Sequence, residues 1–402
     1  MNIFKKVFCR TYQIAFHLAL PMMPYREPKL YETINEIKEI VASEQLTSVL
    51  LVTDKFLYEN RLTEQLETAL AQSGVRCTVY SDTSANPTVR NVTDALRTYR
   101  SNHCNGLIAF GGGSSIDCAK AVGARVAYPK KSLDQLKGML HVLRPIPTLI
   151  AIPTTAGTGS EVTVTAVITD SDTKHKYTMN NFTFIPSYAI LDPTVTYTLP
   201  PSLTATTGMD ALTHAVEAFI GRSTSKETRR LALEAVHLIF ANILTAYREP
   251  TNAKARRNML LASYKAGIAF SKSYVGYIHA AAHSLGGQYN IPHGLANSVL
   301  MPIVLEYYGE SACKKLYILG RAAGVVGNDD SPQVGAKKFI AAIRSLNKQM
   351  NIPEKLSGIK KEDIPKMARN ADREANPLYP VPKLMNAKEL QIFYVKVADW
   401  SE

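Results

Sequence analysis

Cysteine is scarce in this 402-residue chain: there are five, Cys9, Cys77, Cys104, Cys118 and Cys313, and no two form a C-x-x-C pair. An odd, scattered set argues against a disulfide framework and fits a reducing compartment such as the cytoplasm. Runs of like charge are also missing. Lys and Arg outnumber Asp and Glu by 46 to 34, a formal charge of +12, yet they are spread along the chain. That spread argues against a nucleic-acid partner, while a diffuse positive field suits an enzyme whose cofactor carries a pyrophosphate. No transmembrane segment is expected, the apolar run at the N-terminus falling far short of the roughly 20 residues of a span, and neither internal repeats nor low-complexity tracts occur. What is present, 46% hydrophobic and 20% charged residues, is ordinary globular composition. A chain longer than a single core supports predicts two domains.

The opening stretch MNIFKKVFCRTYQIAFHLALPMMP has the look of a signal peptide. Arg10, Gln13 and His17 interrupt its apolar run, and no small-residue cleavage pattern follows. Phe4, Phe8, Tyr12, Ala15 and Leu18 recur at helical spacing, which predicts an amphipathic helix within an extension over residues 1–28. Docking on the body, on a partner or on a membrane surface is open at this level.

From about Leu46 to Leu191, short β-branched runs alternate with amphipathic stretches. TSVLLVTD, VRCTVY, GLIAFGGG and TLIAIPTT read as strands, and strand–helix repetition predicts a parallel sheet covered on both faces. EVTVTAVITDSDTKHKYTM alternates with period two about an Asp-Ser-Asp turn, the pattern of an antiparallel hairpin appended to that sheet. Beyond YTLPPSL the period becomes helical. The expected organisation is an α/β domain over residues 29–198 and an all-helical domain over residues 199–402.

Two loops suit a dinucleotide. LIAFGGGSSIDCAKAVG sets Gly111, Gly112 and Gly113 after a strand and Ser114 and Ser115 at a helix start, where close backbone approach and unpaired N–H groups hold phosphate. A plain tight strand-to-helix turn is the alternative; the loop is neither G-x-G-x-x-G nor a Walker A loop, and Lys120 falls inside the helix. IPTTAGTGSEVT supplies Thr154, Thr155 and Thr158 at another strand end, the edge of a parallel sheet at which nucleotides bind. Asp54 ends LLVTD and is either a ribose acceptor or a helix cap.

The helical half holds two i, i+4 pairs, Asp210 with His214 and His279 with His283, and then His293 between Pro292 and Gly294. Side chains four apart share a helix face. A carboxylate with several imidazoles suits a divalent first-row metal, Fe(II) or Zn(II), with a position left for substrate.

GGGSSIDCAKA, IPTTAGTGSEVT, TTGMDALTHAVEAF and HAAAHSLGGQYNIPHGLAN together, in this order and spacing, resemble the iron-containing (group III) alcohol dehydrogenase family from about Lys29 onward. The resemblance implies a dehydroquinate synthase-like architecture: a Rossmann-like N-terminal domain, a helical C-terminal domain and an active site in the cleft between them. It implies Asp210, His214, His279 and His293 as metal ligands and His283 as a proton-relay residue. It places Gly112, Gly113 and Ser114 at the pyrophosphate, and Thr154, Thr155, Thr158, Asn86 and Lys176 along the cofactor. Asp54 falls at the ribose, favouring NAD(H) over NADP(H), and Phe270 and Thr165 fall at the substrate pocket. The implied reaction interconverts a primary alcohol and its aldehyde by hydride transfer, in a dimer or larger homo-oligomer. A same-fold relative acting on a hydroxy acid, semialdehyde, maleylacetate or glycerol is the alternative.

Three departures stand out. The segment before about Pro24 is extra, and LYETINEIKEI replaces a hairpin common near the family's start. FSKSYVGYIH puts Lys272, Tyr274 and Tyr277 where small or amide residues are usual, so Lys272 either selects an acidic substrate or is a surface lysine. Ser284 stands where proline is frequent.

Overall fold

The structure, a computed structural model, describes residues 1–170 and 175–400. They form two compact units, one of residues 24–198 and one of residues 1–23 with 199–402. The chain opens with helix α1 (Ile3–Ala19) of the second unit. The α/β unit then holds strands β1 (Lys29–Tyr31), β2 (Ser48–Val52), β3 (Arg76–Tyr80), β4 (Gly106–Gly111), β5 (Gly138–Met139), β6 (Leu149–Pro153), β7 (Thr165–Asp170), β8 (His175–Asn180) and β9 (Tyr188–Ile190). Its helices are α2 (Ile37–Ser43), α3 (Lys55–Glu59), α4 (Glu64–Gln72), α5 (Val89–Ser101) and α6 (Gly113–Ala127).

The main sheet runs β1-β9-β6-β4-β2-β3, and every pairing in it is parallel. Its central strands are buried along their whole length, as a sheet covered on both faces requires. Alternation then sorts side chains between two layers: Leu50 and Val52 pack with Val92, Leu96 and Ile116, while Val49 and Leu51 pack with Ile37, Ile40 and Leu66. The crossovers from β2 and β4 leave in opposite directions, because β3 lies beyond β2 and β6 beyond β4. The ends of β2 and β4 therefore flank the switch point, the crevice where such sheets bind ligands.

The β7–β8 hairpin is antiparallel, with Thr165 opposite Asn180 and Asp170 opposite His175; most of its expected Asp-Ser-Asp turn lies outside the described residues. The hairpin does not extend the main sheet. With β5 it forms a separate sheet of order β5-β8-β7. The reason is local: Asp117 on α6 accepts the Val167 N–H at 2.9 Å, and Lys120, also on α6, donates to the Thr163 and Thr165 carbonyls at 2.9 and 2.8 Å. These bonds lay β7 along α6 instead of at a sheet edge. LYETINEIKEI becomes the end of β1, a capping box of Thr33 and Glu36, and α2.

The helical unit continues with α7 (Pro201–Ile220), α8 (Lys226–Arg248), α9 (Ala253–Ser273), α10 (Tyr277–Tyr289), α11 (His293–Tyr308), α12 (Cys313–Ala322), α13 (Pro332–Gln349), α14 (Ile364–Ala375) and α15 (Ala387–Val397). Helix α7 is its axis, buried at every residue from Gly208 to Ile220. Among the described residues only α8 is long and apolar enough to cross a bilayer, and Leu231, Val236 and Ile239 bury its inner face.

Helix α1 forms where the spacing predicts it, with its polar side against the body and its apolar stripe facing out. Cys9 and Gln13 are its buried residues, and Phe4, Phe8 and Leu18 are exposed. The irregular segment after α14 presents carbonyls that polar side chains satisfy. Gln13 donates to Pro377 and Tyr379, Arg10 donates to Val381 and Pro382, and Lys5 pairs with Asp372 at 3.1 Å.

Candidate functional site

In the helical unit, Asp210 and His214 project from α7, His279 and His283 from α10, and His293 opens α11. One ligand atom each from Asp210, His279 and His293 gathers within 4.8 Å of the others. Asp210 Oδ1 lies 3.5 Å from His293 Nε2 and 4.0 Å from His279 Nε2. Gly294 permits this approach, since a Cβ there would collide with the Thr206 carbonyl on α7. His214 is not one of that group. Its ring stacks between Phe270, 4.1 Å between centroids, and His279, at 4.5 Å.

The donor set suits a divalent metal. His279 Nε2 is buried without a hydrogen-bond partner, a costly state for a ring nitrogen unless something is bound there. Burial, then the neighbouring His214, His293 and His283, hold the His279 pKa well below its ordinary value, so its lone pair is available to a metal. On the far side of the ring, Nδ1 meets Glu217 Oε2 at 2.6 Å. A carboxylate only accepts, which assigns the proton to Nδ1 and the lone pair to Nε2.

Glu217 does more than orient this ring. It accepts the Gly276 and Ile278 N–H groups at 2.7 and 2.8 Å, capping α10, which has no side-chain cap of its own at Gly276. Burial pushes its carboxyl up to about 7 against the pull of those amide donors. Asn297, one turn after His293 on α11, places its amide nitrogen 2.6 Å from Asp210 Oδ1 and 3.1 Å from His293 Nε2. Sequence reading passed over both residues. Asp210, His214 and Glu217 follow the i, i+4, i+7 spacing of one helix face, the signal that could have found the glutamate.

His283 stands beside the group, its ring stacked 5.1 Å from that of His293. Its Nδ1 is 2.6 Å from Glu374 on α14, and that carboxylate also accepts from the Tyr379 hydroxyl at 2.7 Å. Burial raises the Glu374 pKa, but the charge and hydrogen bonds of His283 and Tyr379 outweigh it and leave it lowered.

In the α/β unit, the glycine loop closes β4 and Gly112 begins α6 without a side-chain cap, so the first N–H groups of a 15-residue helix are left for an anion. Thr158 lies so close that a Cβ on Gly113 would come within 2.8 Å of its hydroxyl. Thr155 borders Gly112, and Thr154 N–H donates to the Gly111 carbonyl. The Ser114 hydroxyl donates to the Ala85 carbonyl at 2.6 Å, and Lys176 donates to Asn86 at 2.8 Å. The expected cofactor residues Asn86, Gly112, Gly113, Ser114, Thr155 and Thr158 thus line one loop cluster. Asp54 caps α3 by accepting the Leu57 N–H at 3.0 Å, and it does so at the β2 end of the switch point. Thr165 is tied within the hairpin, donating to Asn180 at 2.6 Å.

Beneath this cluster lie charges that sequence reading left unassigned. Lys120 is fully buried and burial lowers its pKa to about 8; burial raises Asp117 to about 6 and Glu161 to about 7. Asp117 and Lys120 anchor the Thr163–Val167 stretch to α6, and Glu161 is buried within the field of the Lys120 ammonium; together they hold the loop that carries Thr158 against the glycine loop.

The departures also have structural accounts. Lys272 pairs with Glu227 at 2.8 Å. Tyr274 meets Phe16 of α1 edge-on, 5.0 Å between centroids, so the unusual aromatic and the extra helix belong together. The buried Tyr277 hydroxyl bonds Asn376 and Met385, and Ser284 donates to the Met367 carbonyl.

Comparison with known proteins agrees with this geometry. Residues 31–193 match the family described as iron-containing alcohol dehydrogenase, and residues 204–397 match its C-terminal counterpart. The 1,3-propanediol dehydrogenase of Citrobacter freundii is 36% identical, over 93% of this chain and 97% of its own. A solved 1,3-propanediol oxidoreductase superposes with a TM-score of 0.89 at 34% identity, covering 93% of this chain and 98% of that one. The sulfoacetaldehyde reductase of Bifidobacterium kashiwanohense, solved with NAD+, gives 0.83 at 29% identity over 94% and 100%. The chain therefore belongs to the iron-containing alcohol dehydrogenase family, as an oxidoreductase that interconverts an alcohol and its aldehyde.

Proposed function

We propose that the chain interconverts a short primary alcohol and its aldehyde with NAD(H), holding iron through Asp210, His214, His279 and His293. The observation that carries this reading is the buried, unpartnered His279 Nε2 facing Asp210 and His293 within 4.8 Å. Bound there, divalent iron supplies Lewis acidity to the substrate oxygen, and a nicotinamide gives or takes the hydride. Glu217 keeps His279 in the ligating tautomer. Phe270, stacked on His214, fixes that ring and offers an apolar surface to the substrate carbon chain. His283, its Nδ1 held by Glu374, carries the alcohol proton at Nε2 and passes it to solvent, toward which its side chain is 42% exposed.

Cofactor binding falls to the glycine loop for the pyrophosphate, with Asn86, Thr154, Thr155, Thr158 and Lys176 around it. The Asp54 carboxylate would repel a 2′-phosphate, which favours NAD(H). Thr165, on the hairpin of the α/β unit, is proposed as a substrate-contacting residue. The Lys272–Glu227 ion pair favours the surface-lysine reading of Lys272 over selection of an acidic substrate. A dimer or larger homo-oligomer in the cytoplasm completes the proposal; five free cysteines support the reducing compartment.

The test is NADH oxidation by protein reconstituted anaerobically with Fe(II), against short aldehydes, lactaldehyde and semialdehydes. Turnover that needs metal and disappears in His279→Ala is expected. NADH binding without turnover on any aldehyde would overturn the reading.

A further inference from the structure

We propose that α1 is a membrane-docking helix that seats the enzyme on an anionic bilayer surface. This inference is independent of the catalytic reading. Successive helical residues are 100° apart, and on that wheel Ile3, Phe4, Val7, Phe8, Ile14 and Leu18 fall within one arc of less than 180°, in which Thr11 is the polar interruption. All six apolar residues are exposed, Phe4 by 83% and Leu18 by 69%. An amphipathic helix that merely covers a globular body turns this stripe inward. Here the polar side is inward: Arg10, Gln13 and Lys5 bind the segment around Asp372–Pro382, and the apolar side is held facing away.

Charge and area select the occupant. No Asp or Glu occurs among the first 26 residues, and Lys6 is exposed beside the apolar arc, while Lys5 and Arg10 are taken up by the segment beneath. An acid-free, basic-flanked helix with a Phe-, Leu- and Ile-rich face has the composition of helices that lie in the headgroup layer of anionic membranes. A second copy is the poorer occupant. The whole chain carries +12, so pairing through this face sets like charges together. Helix α1 has 17 residues, which makes it about 25 Å long and about 10 Å wide. Such a face offers roughly 250 Å², against about 800 Å² per partner in a stable interface.

The experiment is co-sedimentation of the full chain with vesicles of phosphatidylcholine and phosphatidylglycerol, compared with phosphatidylcholine alone. The expected result is pelleting with the anionic vesicles, at least about tenfold weaker binding to neutral ones, and loss with added salt. The variant Phe4→Ser/Phe8→Ser should weaken anionic-vesicle binding by at least about tenfold and leave aldehyde reduction unchanged, since both side chains are exposed and remote from the site residues in sequence. Equal binding to neutral vesicles, no binding to either, or undiminished binding by the variant would overturn the proposal. So would self-association of the wild type in sedimentation velocity that the variant abolishes.

Discussion

Replacing Glu217 by Gln separates two roles that one carboxylate combines. The wild-type side chain is buried and accepts three N–H groups, from His279 Nδ1, Gly276 and Ile278, at 2.6–2.8 Å. Glutamine keeps the volume but has one acceptor oxygen and an NH2 group. If its oxygen stays with His279 and Gly276, the NH2 faces the Ile278 N–H, donor against donor; in the other orientation His279 loses its partner. One buried donor left unsatisfied costs about 1–3 kcal/mol, so a stability loss of about 2 kcal/mol is expected in the metal-free protein. The second effect is on the metal. An imidazole without its carboxylate is a weaker and less oriented ligand, and loss of such a partner lowers metal affinity by about 10–100-fold. Chemical denaturation without metal measures the first effect, and anaerobic Fe(II) titration against a competing chelator measures the second. Unchanged Fe(II) affinity alongside the stability loss would refute the orienting role and leave Glu217 as a helix cap.

Three further outcomes follow from the same geometry. Gly113→Ala, which brings a Cβ within 2.8 Å of the Thr158 hydroxyl, should weaken NADH binding at least about tenfold and leave Fe(II) affinity intact, as read by NADH fluorescence titration. Glu374→Gln should lower kcat by about tenfold or more while KM and metal content stay near wild type, because the loss falls on proton transfer; a change confined to KM would argue for substrate positioning. Glu161→Gln tests the buried charges under the loop. The Glu161 pKa rises from 4.5 to about 7, so the folded state binds more protons than the unfolded one between those values, and this residue lowers stability as pH rises through that window. Relative to wild type the variant should gain by up to about 3 kcal/mol between pH 5 and pH 8, measured by denaturant unfolding of each at both values. A pH-independent difference would contradict the assignment.

How much of this was legible without coordinates varied with the physics of each feature. The central strands were plain because a strand covered on both faces must be apolar throughout, and TSVLLVTD and GLIAFGGG are. The metal-ligand candidates were plain because helical periodicity places Asp210 beside His214 and His279 beside His283. Strand β1 was not, since three residues of mixed burial, Lys29–Tyr31, carry no periodic signal and owe their conformation to β9. The second sheet was hidden for a similar reason: β5 has two residues, and β7 is placed by Asp117 and Lys120, whose sequence context is simply the inside of a helix. Glu374 was the least visible, because it meets His283 across 91 positions of chain, a pairing that no local pattern encodes.

Helix α1 shows a limit of a different kind. Its periodicity correctly announced a helix with one apolar face, and the ordinary inference from such a face is burial. That inference weighs only the apolar side. The segment after α14 presents the Pro377, Tyr379, Val381 and Pro382 carbonyls, and each polar group buried there without a partner would cost about 1–3 kcal/mol, as much as the helix gains from hiding one more large apolar residue. Arg10 and Gln13 meet that need and so decide which way the helix faces, with Phe16 against Tyr274 securing its end. The same contacts make the orientation testable apart from any membrane. Gln13→Leu removes both donors to Pro377 and Tyr379 but adds an apolar side chain at the buried position. If carbonyl satisfaction holds α1 in place, protease cleavage within residues 1–23 of the native protein should accelerate in Gln13→Leu, whereas apolar burial as the anchor predicts that it slows.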